Sequence, residues 1–339
     1  MKYIGCKRRL IPFIEECLIT SGLPYNNVNV IDLFSGTGSV SEFFMKNNCN
    51  VRSCDNMSYS VVEQYRKLFY KEVPEFEELI PIIGSKNLID VLNYLNNLPL
   101  TMGYFYENYA PNGKYKRQYF SDNNAKKIDS IREKIEKWKT ILPTEKRMFL
   151  IGILMHSADR VSNTSGTYGA FLKIWRSMAL KPMTLEIPEL IKDGSISIHL
   201  SNAIDFLKAN SADIVYLDPP YNSRQYASNF HVLENITLYD KTLLKGVTGI
   251  RPYEEKKSNW SIKTKALKEF KDTINNIKAK YIIMSYSTEG LIKEKDILEF
   301  LNEKGSTIVY RNRYRRFKTN AWTDNETGLE ELLFICKVR

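Results

Sequence analysis

Asp218-Pro219-Pro220-Tyr221 follows directly on the apolar run Ile214-Val215-Tyr216-Leu217. Four residues thus bring together a carboxylate, a stiffened turn and an aromatic ring. Proline fixes φ and has no N–H to donate, and Pro219 holds the residue before it extended. The Asp218 carboxylate and the Pro219 carbonyl can then face one small volume beside the Tyr221 ring. Two acceptors next to a stacking surface suit an amino group on a planar base. Taken alone, an ordinary Pro-Pro turn after a strand explains the tetrapeptide equally well.

A second segment upstream adds to it. Val30-Ile31-Asp32-Leu33 runs into Phe34-Ser35-Gly36-Thr37-Gly38, and a helical pattern of Val40, Phe43 and Phe44 follows. Glycine allows positive φ and close approach of a ligand to the backbone. The helix start offers unpaired N–H groups. The third glycine of the dinucleotide fingerprint is absent, so the turn by itself is a weak signal. Val51-Arg52-Ser53-Cys54-Asp55 reads as a second strand ending in an acid, at about the distance where such folds meet ribose hydroxyls. A helix cap before residues 58–68 is the plainer role for Asp55.

Phe34-x-Gly36-x-Gly38 followed by Asp218–Tyr221 resembles the Dam-like class of S-adenosylmethionine-dependent DNA adenine-N6 methyltransferases, in which the cofactor motif precedes the catalytic one. Lys2-Tyr3-Ile4-Gly5-Cys6-Lys7 is similar to the segment this class sets before its first strand. Tyr168–Trp175 and the tail Ser223-Arg224-Gln225-Tyr226 look like type II modification enzymes. The resemblance covers the whole chain. It implies S-adenosyl-L-methionine as cofactor, held by Tyr3, Gly5, Lys7, Asp32, Phe34, Gly36, Gly38, Asp55 and Asp218. It also implies a catalytic set of Asp218, Pro219, Pro220 and Tyr221 acting on an adenine flipped from double-stranded DNA, and a restriction endonuclease as a separate companion. Where the family places an acid against the cofactor adenine, this chain has Asn202, with Asp205 close by as a substitute. An N4-cytosine methyltransferase is the rival, although that group usually carries serine in place of Asp218. A non-catalytic DNA-binding relative is disfavoured by the intact motifs.

The elements that must position these residues alternate at both ends of the chain. Helix 8–21, strands 28–34 and 50–54, strands 195–200 and 212–217 around a short helix 203–208, and strand 280–285 predict an α/β, doubly wound, mostly parallel sheet. A terminal antiparallel hairpin is expected from 307–317 and 329–338. Between roughly 75 and 192 the alternation stops. Ile128, Ile131, Ile135, Trp138 and Leu142 recur at helical spacing. The expected organisation is therefore a catalytic domain of 1–74 and 193–339, interrupted by a mainly helical target-recognition region, 75–192.

Charge favours a polyanionic partner: 339 residues carry a net +10. Nine Lys/Arg against four acids fall between Lys114 and Lys139, interleaved with Tyr106, Tyr109, Tyr115 and Tyr119. Lys114, Lys116 and Arg117 are read there as DNA contacts, with a solvated helix face as the plainer alternative. The polar turn Asn163–Tyr168 is read as able to meet base edges. Arg311, Arg313, Arg315, Arg316 and Lys318 occupy five of eight positions without an acid, and phosphate contact is expected of them and of Arg224. Five cysteines at 6, 17, 49, 54 and 336 lack paired spacing, so neither zinc nor a disulfide framework is indicated. No apolar run approaches the roughly 20 residues of a membrane span, and a cytoplasmic protein is expected.

Overall fold

The computed structural model describes residues 5, 7–313 and 330–339. Among them, seven strands form one sheet in the order β3-β2-β1-β4-β5-β7-β6. They are β1 (Asn29–Leu33), β2 (Asn50–Asp55), β3 (Ser195–Leu200), β4 (Ala212–Leu217), β5 (Ala279–Ser287), β6 (Gly305–Arg313) and β7 (Glu330–Val338). The first five run parallel, and β7 lies antiparallel to both β5 and β6. The doubly wound, mostly parallel sheet with its terminal antiparallel pair is the architecture expected from the alternating pattern.

Central strands flanked on both sides must be apolar over successive residues, and β1 and β4 are buried at Val30–Leu33 and Ile214–Leu217. Alternate residues on one face, among them Ile31, Leu33, Val215, Leu217, Ile282, Met284, Leu332 and Phe334, pack with Phe206, Phe270, Ile297 and Phe300 from three helices. The register sets Leu33 against Leu217. The turn after β1 and the turn after β4 therefore leave the sheet side by side, at the point where strand order reverses. Ligands of open α/β sheets bind at such a switch point.

The chain divides into two compact units, and the division differs from the expected domain boundaries. The sheet unit comprises Lys7–Asn56, Asp193–Gln225 and Lys257–Arg339, as far as it is described. The helical unit takes not only 75–192 but Met57–Lys192 and Tyr226–Lys256. Burial explains the difference. Helix Ser58–Gln64 is buried at every one of its residues and packs on helices Thr144–Arg160 and His231–Leu238. The Glu234 carboxylate accepts the N–H groups of Ser58 (3.2 Å) and Tyr59 (3.0 Å), capping that helix from the later segment. The Arg132 guanidinium donates to the carbonyls of Ile236 (2.7 Å) and Thr237 (3.3 Å), which welds helix Asp122–Lys137 to the same segment.

That helix is the one the spacing of Ile128, Ile131 and Ile135 predicts, and all three are buried. It ends at Lys137, so Trp138 and Leu142 lie beyond it, yet both are buried. No helix among the described residues is long and apolar enough to cross a membrane.

Candidate active site

The site lies within the sheet unit, at the carboxyl ends of the parallel strands. After Leu33 the backbone turns through positive φ at Phe34 (59°), Gly36 (51°) and Gly38 (74°). Gly36 and Gly38 take that conformation without the penalty a side chain incurs. Phe34 does incur it, and its ring is held by an edge contact with Trp260, centroids 5.6 Å apart. The turn is pinned from below. The Ser35 N–H donates to the Cys54 carbonyl (3.1 Å), the Gly38 N–H to the Ser35 carbonyl (2.8 Å), and the Gly36 N–H to Asp55 Oδ2 (2.8 Å). Asp55 is thus no helix cap: residue 57 holds that position before Ser58–Gln64. Its carboxylate sits at the end of β2 against the glycine turn, where an acid meets ribose hydroxyls.

Gly38 also starts helix Ser39–Lys46 without a side-chain cap. Asp32, in β1 beneath the turn, accepts the Ser41 hydroxyl at 2.6 Å. Burial pushes the Asp32 carboxyl up to about 7, against the lowering effect of that hydrogen bond. A turn of positive-φ glycines, a helix start and an acid on the neighbouring strand fit the polar and ribose parts of a nucleoside cofactor.

Across from the glycine turn stands the tetrapeptide. Asp218 Oδ1 lies 3.1 Å from Lys7 Nζ, and Glu331 Oε2 lies 3.4 Å from the same nitrogen. The Lys7 side chain is only 5% exposed, the two carboxylates 17% each. Burial alone would lower the Lys7 pKa, but the charges of Asp218 and Glu331 reverse this and raise it above its ordinary value. Burial pushes the Asp218 carboxyl up to about 6. Lys7 pulls it back down, and Glu331 adds to the rise. The Tyr221 ring packs edge-on against Tyr286 (6.3 Å between centroids) with Lys7 Nζ 6.0 Å from its centre.

The chain leaving Tyr221 is tied down in its turn. The Tyr221 carbonyl accepts the Leu291 N–H at 2.9 Å. The Gln225 amide exchanges two hydrogen bonds with the Ser258 backbone (3.1 and 2.9 Å), and the Arg224 carbonyl accepts the Ser261 hydroxyl at 3.3 Å. Residues 258–261 carry Trp260, so one segment braces both the chain leaving the Asp-Pro-Pro-Tyr turn and Phe34.

Not every predicted residue comes to this place. Tyr3 lies outside the described residues, as does Arg315. Gly5 (φ 80°) groups with the helical unit, where a Cβ would stand 2.8 Å from the Tyr226 hydroxyl oxygen. Lys7, expected near the cofactor carboxylate, is instead paired with Asp218. The Asn202 carbonyl oxygen is used locally, capping helix Ala203–Ala209 by accepting the Ile204 N–H at 2.9 Å. Asp205 is exposed beside Lys208.

Of the basic residues, Lys114, Lys116 and Arg224 are exposed, and Arg313 is 89% exposed. Arg311 bridges Glu294 and Glu330. Arg117 corrects the sequence reading: it is buried, and its guanidinium donates to the carbonyls of Asn108, Val247 and Gly246, so it cannot meet a phosphate. Asn163, Thr164 and Tyr168 are buried as well. Asn163 serves the loop itself, bonding the Leu172 carbonyl and the Arg176 N–H, so the turn does not offer these side chains to base edges.

Sequence reasoning missed Glu331, Trp260 and Tyr286. Glu331 pairs with Ser287 in the β5–β7 ladder. Only an antiparallel strand delivers its amino end to the carboxyl edge of parallel neighbours. The hairpin expectation held the signal, but the register that selects residue 331 was not readable.

Comparison with known proteins agrees with this geometry. Residues 3–300 match the model of the D12 class N6 adenine-specific DNA methyltransferases. The Type II methyltransferase M.NlaIII of Neisseria lactamica is 36% identical over 329 residues, covering 94% of this chain and 93% of the relative. The modification methylase StsI of Streptococcus sanguinis is 36% identical over 99% of this chain, and M.FokI of Planomicrobium okeanokoites 35% over 99%. This chain spans about half the length of those two, 52% and 53%. With a glycine turn and an Asp-Pro-Pro-Tyr turn leaving adjacent strands of the sheet, and a family match over most of its length, the chain belongs to the D12 class of N6 adenine-specific DNA methyltransferases.

Proposed function

We propose that this chain methylates the N6 amine of an adenine flipped out of double-stranded DNA, as the modification enzyme of a restriction–modification system acting in the cytoplasm beside a separate endonuclease. The observation that carries the reading is Asp218 at the end of β4, half-buried, paired with Lys7 and next to the Tyr221 ring.

The exocyclic amine of adenine is a poor nucleophile because its lone pair is delocalised into the ring. Ionised Asp218 and the Pro219 carbonyl would accept its two N–H bonds, drawing the nitrogen toward tetrahedral geometry and localising the lone pair. S-adenosyl-L-methionine supplies, when bound, a methyl group on a sulfonium that is already a good leaving group. Phe34, Gly36, Gly38 and Asp55 are the residues that would hold it. What remains for the chain is orientation and stabilisation of positive charge growing on nitrogen, which a carboxylate beside it provides. Tyr221 would stack on the extruded base. The helical unit would carry target recognition, with Lys114 and Lys116 there, and Arg224 and Arg313 of the sheet unit, as exposed cations for phosphates.

The test is Asp218→Ala. Methyl transfer to DNA should fall 100-fold or more, as loss of one such contact typically does, while binding of S-adenosyl-L-methionine and DNA persists. Activity above about a tenth of wild type would remove Asp218 from this role. Methylation-sensitive sequencing of DNA from a host expressing the chain identifies the base: N6-methyladenine is expected, and N4-methylcytosine would overturn the assignment.

A further inference from the structure

Arg117, read from sequence as a phosphate contact, has another task. It is the anchor of a tight turn, Gly246-Val247-Thr248-Gly249, in the helical unit. The turn is closed by the paired hydrogen bonds of Lys245 and Ile250, both 2.9 Å, and by the Gly249 N–H to the Gly246 carbonyl at 3.3 Å. Its glycines both take φ +70°. Three of its four carbonyls are held from within. Arg117 donates to Gly246 (3.0 Å) and Val247 (2.9 Å), and the Tyr109 hydroxyl to Gly249 (3.3 Å). The Tyr119 hydroxyl lies 3.0 Å from the Thr248 carbonyl but has the nearer Tyr168 carbonyl, at 2.7 Å, for its one proton. Gly249 is packed so closely that a Cβ there would stand 2.7 Å from the guanidinium.

The side chain that this scaffold presents is apolar and outward. Val247 is 82% exposed. A valine held exposed on a braced turn forgoes the stabilisation that burial would contribute, and Leu243, four residues earlier, is 82% exposed as well. The surroundings are cationic. Lys245 is exposed in the same turn, and Lys114 and Lys116 are exposed on the strand of chain that leads into Arg117. Tyr115, 44% exposed, lies with its ring between Arg117 Cζ (4.7 Å) and Lys114 Nζ (5.5 Å). Glu107 accepts the Lys114 backbone N–H at 3.0 Å, and Asp240 is paired with Arg251. An apolar tip on a rigid base, ringed by lysines and one tyrosine, matches a polyanion with an apolar stacked interior.

We propose that the 246–249 turn is a preformed wedge for duplex DNA, with Val247 pressing into a groove against the stacked bases and Lys114, Lys116 and Lys245 on the flanking phosphates. The inference rests on DNA being the substrate, and it adds a contact outside the 75–192 region expected to read the target. Apolar wedges of this kind perturb base stacking in groove-binding proteins. Because three carbonyls of the turn are already fixed and its ends are paired, ordering it on binding costs little.

The experiment uses the full chain and a duplex oligonucleotide that the wild type has been shown to methylate. Val247→Asp should weaken duplex binding about tenfold or more, Val247→Ala about threefold to tenfold, and Val247→Ile little. Thermal stability and S-adenosyl-L-methionine binding should not change, because the side chain touches solvent. A mismatch opposite the target adenine already relaxes the stack, so it should restore methylation by Val247→Ala toward wild type. Equal duplex affinity and rate for wild type, Val247→Ala and Val247→Asp would overturn the wedge, as would a large fall in melting temperature for Val247→Ala. A wild type that methylates no DNA would instead overturn the functional reading itself.

Discussion

Lys7 stands between two carboxylates, and the consequence is a shared charge rather than a simple ion pair. With Lys7 divided between Asp218 (3.1 Å) and Glu331 (3.4 Å), Asp218 is held but not fully neutralised as an acceptor. The groups acting on it besides burial are Lys7 and Glu331 from β7, and its own charge helps raise the Asp32 carboxyl on the adjacent strand. Ionised Asp218 is the stronger acceptor and alone offsets positive charge growing on the nitrogen, so activity should rise with pH through the Asp218 pKa of about 6. Glu331 contributes to that elevation; removing its charge lowers the Asp218 pKa. Glu331→Gln should therefore carry the acid limb of kcat to lower pH and, because Lys7 then spends its whole charge on Asp218, reduce the alkaline plateau about threefold to tenfold. A pH–rate profile under single-turnover conditions checks both signs. An unmoved acid limb would mean that Glu331 has no electrostatic hold on Asp218.

At the scale of elements, the strands were legible and their partners were not. β3 and β4 have the bounds that composition predicts: β4 is an apolar run buried in the sheet, and β3 is an alternating strand at its edge. The residue that completes the Lys7 pair comes from register, which no local pattern encodes. Arg117 and Arg132 looked like a solvent-facing basic surface, yet both are buried against carbonyls. A long cationic side chain reads the same in sequence whether it faces water or backbone oxygens. Gly194 is a comparable case, where the chain re-enters the sheet ahead of β3. It has φ +60°, and a Cβ would stand 2.6 Å from the Met45 carbonyl oxygen and 2.8 Å from that of Cys49. Both obstacles are backbone, so neither can swing aside. Gly194→Ala should cost about 2 kcal/mol or more of stability, seen as a lower denaturant midpoint, while the Asp218 pair is untouched. An unchanged midpoint would show that β3 can shift to admit the methyl group.

For the whole molecule, the excess of 49 basic over 39 acidic residues overstates the charge available to DNA. Arg117 and Arg132 are internal, Arg66 is bound to Glu63, and Arg311 spans two acids. Among the described residues, what remains for phosphates of the sequence-predicted contacts is Lys114, Lys116, Arg224 and Arg313. Counterion release makes log K fall with log salt at a slope of about −0.9 per phosphate neutralised. Replacing Lys114 and Lys116 by glutamine together should therefore flatten that slope by about 2 and weaken binding to all duplex sequences alike. Arg117→Gln should behave differently. It leaves the Val247 carbonyl without its donor and that of Gly246 with only the Gly249 N–H, so it should lower stability and loosen the 246–249 turn, with little direct effect on the salt slope. Titrations of one duplex across a salt series, run beside thermal melts of each variant, separate the two. A slope change from Arg117→Gln equal to that of a surface lysine would place its guanidinium on the DNA after all.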